Sequence, residues 1–417
     1  MTAATGPSPR IVTLDILRGV AVMGILAMNI VGFAMPFQAY LNPVALGPVG
    51  DPDLVSWAVS FVFVDGKMRA LFSFLFGAGM LLVIEQAEAK GEPADIIHYR
   101  RMIWLLFFGL AHLYLIWFGD ILVGYALIGM IAFLFRDLPQ RALIGWAAGL
   151  LIVQLLIDGG SAVEAAKLRQ AVAIPGATPA TVAEWQDLQR MFGAMGPEAK
   201  AKELALYRGG YEGILADRMR DQALGPIKGL ASFGWEILAY FLLGMAALRS
   251  GFLTGGWSPE RYRRIALIGF ALGIPAYALL AWLLVRDDFS VPAILAWSMA
   301  ATVPLRPLMV VATAALIILA TRGGGALVDR IAAAGRAAFT NYLGTSLVMT
   351  TLFYGYGAGL FGTLGRAHLW LIVLAMWALM LLWSKPWLDR FLYGPLEWLW
   401  RSLARGEAQP MRKPGGA

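Results

Sequence analysis

Four groups of polar side chains stand where the sequence is otherwise apolar. Asp15, Arg18 and Asn29 interrupt the run from Ile11 to Met35. An ionisable group in a bilayer-spanning helix costs about 2.5 to 3.5 kcal/mol on insertion scales, so such residues face a protein interior or an aqueous cavity. A spacing of three lets Asp15 and Arg18 pair on one helix face. His112 lies inside another apolar run, and its neutral imidazole can take a proton from an acceptor hydroxyl or amine. Asp120 follows eight residues later on the same face of a continuous helix, about 12 Å along the axis and too far for direct contact. Asp65 from a neighbouring helix is therefore the expected partner of His112, with Asp120 positioning an acceptor at the far mouth. An intramembrane His serves equally well as a hydrogen-bonding post between helices. Asp65, Lys67 and Arg69 are expected to form a buried ion cluster or to bind an anionic acceptor. Asn341, Tyr342 and Ser346 share a face and either bond helix to helix or touch substrate.

The elements that must hold these residues are membrane helices. The chain of 417 residues is 59% hydrophobic and 15% charged, with a mean hydropathy of +0.67, a composition foreign to soluble domains. Fifteen Trp and thirteen Tyr, many at the ends of apolar runs, fit interfacial aromatic belts. The absence of Cys excludes thiolate catalysis and Cys-ligated metals, and three His without a ligand spacing give no metal site. A ruler of about 20 apolar residues predicts an all-α polytopic protein with about ten spans in one bundle. These are roughly 11–35, 70–84, 102–118, 121–135, 142–157, 232–248, 265–285, 308–319, 338–353 and 369–383, with 54–64 an interfacial or re-entrant helix. Residues 1–157 hold the first five spans, 158–228 a helical extracytoplasmic cap, 229–404 the last five spans, and 405–417 a disordered tail.

Lys and Arg concentrate at alternate ends, from Arg10 through Arg100, Arg101 and Arg336 to the C-terminal tail. This predicts an inner-membrane protein with both termini cytoplasmic. The net charge of +7 then reflects topology and implies no nucleic acid partner. Arg18, Arg100, Arg101 and Arg336 all sit at inner ends, where the phosphates of a donor would approach; the topological bias alone predicts Arg there as well.

Several stretches resemble the YeiB-like bacterial membrane proteins, the domain of unknown function 418. They are Leu14-Asp15-Ile16-Leu17-Arg18-Gly19 running into Gly24 through Ile30, Asp65-Gly66-Lys67 with Leu71 through Gly79, and Arg100-Arg101 leading to Gly109-Leu110-Ala111-His112. Further along are Trp117-Phe118-Gly119-Asp120 with Tyr125-Ala126, Tyr207 through Tyr211, Gly335-Arg336 with Thr340-Asn341-Tyr342-Leu343, Phe353 through Gly357, and Gly394 through Arg401. In its first helices the chain is also similar to membrane acyltransferases that pass an acyl group from cytoplasmic acyl-CoA to an acceptor across the bilayer. The bacterial O-acyltransferases among them place a His near the end of the first helix, where this chain has Asn29.

The resulting expectation is a transmembrane acyltransferase, with acyl-CoA as co-substrate and a sugar or lipid-linked acceptor. His112 is the base, Asp65 and Asp120 orient, and the inner Arg cluster holds the donor. The alternative is a transporter or lipid flippase, since Pro304 and Pro307 around Arg306 predict a broken helix. A non-enzymatic scaffold is the third class, and would tolerate loss of His112, Asp65 and Asp120.

Overall fold

The computed structural model describes residues 11–221 and 223–413. Arg10 and the last four residues of the expected tail lie outside them. No strand forms among the described residues, and the longer helices are α1 (Val12–Ala34), α2 (Asp51–Phe63), α3 (Lys67–Ala89), α4 (Ala94–Ala111), α5 (Leu122–Ala132), α6 (Gln140–Val172), α7 (Pro179–Phe192), α8 (Pro197–Tyr207), α9 (Tyr211–Asp221), α10 (Gly225–Arg249), α11 (Pro259–Arg286), α12 (Arg306–Thr321), α13 (Ala326–Arg336), α14 (Ala338–Phe353), α15 (Arg366–Arg390) and α16 (Pro395–Arg405).

Among the described residues, six helical stretches are long and apolar enough to cross a membrane: α1, α2 with α3, α6, most of α10, α11 and α15. A seventh arises if Val291–Thr302 and α12, bent by 53° at their junction, form one broken span. Of the roughly ten expected spans, length and composition pick out six to seven among the described residues, and the others fall short for a physical reason. Helix α4 carries Asp95, Arg100 and Arg101, while α5 has 11 residues and α14 has 16. Sixteen residues rise about 24 Å, short of the roughly 30 Å of hydrocarbon. The segment expected as a separate helix before the second span joins it in one 39-residue stretch.

Burial sorts the spans into layers. The apolar window of α1 is 83% buried, against 28% for α6, 33% for α11 and 28% for α15. A helix apolar all round belongs in the interior, and α1 is the central post. It meets α13 at a crossing of small residues: a Cβ on Gly335 would stand 1.8 Å from the Asp15 carbonyl oxygen, and one on Gly19 would stand 2.1 Å from that of Ile331. Helices α3 and α10 cross in the same way at Gly77 and Gly244. Close backbone approach replaces the hydrophobic drive that lipid removes. Gly335→Val is expected to lower the thermal midpoint of the detergent-solubilised protein, since overpacking costs about 1 to 3 kcal/mol. An unchanged melting curve would contradict this crossing.

Helix α6 runs through the expected boundary at residue 158 and carries the bundle into the cap without a break. The cap of α7, α8 and α9 grips three loops. Met195 N–H donates to the Ala45 carbonyl at 2.8 Å, Lys200 Nζ to Leu46 at 2.8 Å, Tyr211 Oη to Leu115 at 2.8 Å and Arg208 Nε to Phe361 at 2.7 Å.

At the other end, Glu397 on α16 accepts from Phe339 N–H at 2.7 Å, Thr340 N–H at 3.0 Å and Thr340 Oγ1–H at 2.6 Å. It thereby satisfies orphan donors in the first turn of α14. Part of the expected free tail is ordered, because Leu392 N–H donates to the Met411 carbonyl at 2.9 Å and Phe391 bridges Arg412. Glu397→Ala should cost about 1 kcal/mol, as a lost cap does, and speed proteolytic cleavage between α15 and α16; unchanged cleavage would remove the capping role.

Candidate functional site

The chain between α4 and α5 reverses over ten residues. Helix α4 widens into a π-helical turn at His112–Ile116, and Trp117 is extended. The buried Trp117 ring stacks on Phe33 of α1 at 3.9 Å between centroids, and its Nε1–H donates to the Gly32 carbonyl at 3.4 Å. This anchoring pulls the chain off the helical axis. Asp120 is thereby brought back beside His112, whose Nδ1 stands 2.7 Å from Asp120 Oδ2 with both side chains fully buried. The expectation that the two are too far apart for a direct pair assumes a continuous helix, and the π-turn and extended link remove that assumption.

Asp120 Oδ1 also accepts Val123 N–H at 2.8 Å, so the carboxylate caps α5. In the neutral tautomer whose Nδ1–H donates to the carboxylate, the imidazole lone pair is on Nε2. Nε2 is buried and has no hydrogen-bond partner among the described residues. The Tyr342 ring lies 5.2 Å from the imidazole, and its hydroxyl accepts Ile121 N–H at 3.3 Å. Beyond Tyr342 is a small cavity of about 10 Å³ lined by Asn29, Thr345 and Ser346 among apolar residues of α1, room for about one water. Thr345 Oγ1 is buried without a partner among the described residues, and Asn29 Oδ1 accepts from Tyr40 Oη at 3.5 Å.

Asp65 is not the partner of His112. It lies in the turn between α2 and α3, where its cationic neighbours are Lys67 and Arg366. Lys67 Nζ donates to the carbonyls of Phe61 at 2.7 Å and Asp65 at 3.2 Å and stands 3.4 Å over the Tyr277 ring, a desolvated cation–π arrangement. Arg69 turns to a partner that the motif reading missed: its NH2 lies 2.8 Å from Glu236 Oε2. The second Glu236 oxygen takes Arg306, which also donates to Thr302 Oγ1 at 2.7 Å. Gly66, at φ +71°, lets the turn pass under the Arg306 guanidinium, where a Cβ would stand 2.7 Å from Nε. The same logic that singled out Asp15 applies to Glu236, a lone acid in the apolar run of α10.

Arg306 sits at the break of the bent span, so freed backbone and buried charge meet at one place, as in cavity-lining broken helices. The start of that broken span is tethered at Asp287, which accepts Arg286 Nε–H at 2.7 Å and Trp297 Nε1–H at 2.9 Å. These donors hold its carboxyl below the usual range.

Asn341 and Tyr342 diverge. Asn341 Nδ2 donates to the Ala334 carbonyl at 3.0 Å and its Oδ1 accepts Trp383 Nε1–H at 2.9 Å, joining α14 to α13 and α15, while Tyr342 faces His112. Asp15 and Arg18 pair at 3.3 Å, with Gly79 leaving room for the Arg18 guanidinium. Arg101 stacks on Trp400 of α16 at 4.4 Å, and Arg100 lies against Gly406. Arg336 donates to the Leu392 carbonyl at 3.0 Å.

A family model described as protein of unknown function (DUF418) matches residues 247–407. The chain is similar to the uncharacterized protein YxaH of Bacillus subtilis, 32% identical over 422 residues that cover 97% of this chain and 96% of that protein. It is likewise similar to the uncharacterized protein YeiB of Escherichia coli, 33% identical over 417 residues, or 96% of this chain and 98% of that protein. A 39.9 kDa protein from the amylase 3' region of Bacillus acidopullulyticus is 35% identical over 132 residues, 32% of this chain and 36% of that protein. No solved structure matches significantly.

Proposed function

From the premise that this chain belongs to the YeiB-like DUF418 family of helical membrane proteins, we propose that it transfers an acyl group from a cytoplasmic acyl-CoA to an extracytoplasmic or lipid-linked hydroxyl. The observation that carries the reading is the buried His112–Asp120 pair, with Nε2 unengaged among the described residues. In the reaction, Nε2 takes the acceptor proton as the oxygen attacks the thioester carbonyl. The C–S bond breaks, and the thiolate leaves with the proton returned from the imidazolium, which Asp120 stabilises. Arg101 and His112 are eleven residues apart on α4 and its π-turn, about 16 Å. A donor with phosphates at one end and a thioester at the other fits that separation. The accumulation of Lys and Arg at the Arg101 end supports a cytoplasmic placement for it, and with it an inner-membrane protein with cytoplasmic termini.

Both side chains of the pair are sealed from solvent, so turnover requires α14 to move away from α1 at the small cavity. Ser346→Leu, which fills that cavity, is expected to reduce turnover more than donor binding. The decisive assay is thiol release from acetyl-CoA and longer acyl-CoAs by protein in inverted membrane vesicles, wild type against His112→Ala. Release that persists unchanged in His112→Ala would overturn the role of the pair.

One observation favours transport instead, the broken span at Thr302–Arg306 with its buried Glu236. That reading predicts no thiol release, normal behaviour of His112→Ala, and loss of substrate flux in Arg306→Met.

A further inference from the structure

A second built concavity lies at the basic end of the bundle, where the α3–α4 connection meets α16. Its volume is about 90 Å³, several times what one water needs, and its polar lining is Gln86, Lys90, Glu92, Arg101, Arg401 and Arg405. Four cations from three separate elements therefore converge on a space that contains one carboxylate. That carboxylate, Glu92, is already engaged by Arg405 at 3.6 Å. The electrostatic neighbours of Arg101 include Arg401, Arg18 and Arg405, all of its own sign.

Topology demands basic residues at this end of the bundle but does not demand that they face one another. Solvated on outward faces they would be screened over about a Debye length. Here the arrangement is held in place. Trp400 is wedged between α16 and α4, its Nε1–H donating to the Arg101 carbonyl at 2.9 Å while its ring backs the Arg101 guanidinium. The plane of that fork is thus set before any ligand arrives, which favours bidentate recognition of phosphate oxygens. Helix α16 is docked in turn by Glu397 at the first turn of α14.

We infer that this concavity is a binding site for a phosphate-bearing group, a phosphomonoester or pyrophosphate carrying at least two negative charges. Lys90, Arg101, Arg401 and Arg405 bind its oxygens, and α16 is the wall that completes the site. The inference does not rest on acyl transfer. The same chemistry is offered by the nucleotide part of a coenzyme and by an anionic phospholipid headgroup.

The test is saturable binding of three probes to the full-length protein in neutral detergent: inorganic pyrophosphate, coenzyme A and a short-chain phosphatidic acid. Lys90 and Arg401 are exposed, so Lys90→Gln and Arg401→Gln should keep the wild-type thermal midpoint. Each is expected to weaken binding about tenfold or more, as loss of one charge-assisted hydrogen bond does. Coenzyme A binding displaced by pyrophosphate supports the site with a nucleotide source, and preferential binding of phosphatidic acid supports it with a lipid source. No saturable binding of any probe to the wild type, or equal binding by both variants, overturns it. His112→Ala should bind like wild type, so a failure of the acyl-transfer reading and a failure of this site give different results.

Discussion

Glu236→Ala is expected to be among the most damaging single substitutions in the protein, lowering folding stability by about 3 to 5 kcal/mol. One carboxylate answers two cations here: Oε2 takes Arg69 and Oε1 takes Arg306, and the Glu236 side chain is 3% exposed. Breaking a buried pair from one side leaves an uncompensated charge, and the cost of about 3 to 5 kcal/mol is that of the stranded ion. The check is the midpoint of thermal aggregation in detergent, followed by size-exclusion chromatography. The triple variant Glu236→Leu, Arg69→Met, Arg306→Met removes every charge of the set. It should recover most of the loss, because a buried ionic group replaced by apolar residues of similar volume is often neutral or better. If Glu236→Ala melts like wild type, the network does not hold α3, α10 and the broken span together. If the triple variant is stable yet transport of some substrate is lost, the transport reading gains.

Asp120→Asn and His112→Ala should each reduce thioester turnover by about 10² to 10⁴, the range for a positioned general base. Asp120→Asn retains the shape of the side chain and can cap α5 through its amide oxygen. It withdraws the carboxylate that accepts from Nδ1, so the imidazole is free to place its proton on Nε2 and becomes a donor where an acceptor is required. A purely structural pair gives a different pattern. Both variants would then lower the thermal midpoint in proportion to any loss of activity, and a substrate-binding measurement would fall with it. The catalytic reading requires Asp120→Asn to keep wild-type coenzyme A binding while turnover collapses.

Much of the architecture is legible in the chain alone. Apolar runs, aromatic belts and the basic ends together specify a multi-pass helical protein, because lipid imposes length and backbone satisfaction on any span. The interruption near Arg306 is visible through Pro304 and Pro307, since a ring without N–H cannot continue the ladder. Charges inside apolar runs also mark the right neighbourhoods: Asp15 and Arg18 do pair, and Lys67 is buried.

What the sequence by itself determined is therefore the solvent of each segment and which polar residues require partners. Partner identity came only from the tertiary structure. His112 and Asp120 meet because a buried Trp117 turns the chain between them, a reversal that helical periodicity cannot encode. Asn29, Tyr342 and Ser346 surround one small cavity because α1 and α14 pack together there. Arg69 and Arg306 share Glu236 across 167 and 70 residues of chain. Arg401 and Arg405 join Arg101 because Glu397 and Trp400 dock α16. Transfer cost is a property of one residue and its local segment. Pairing is a property of the packed bundle, where low dielectric makes each charge and each unmet hydrogen bond costly enough to select its neighbour.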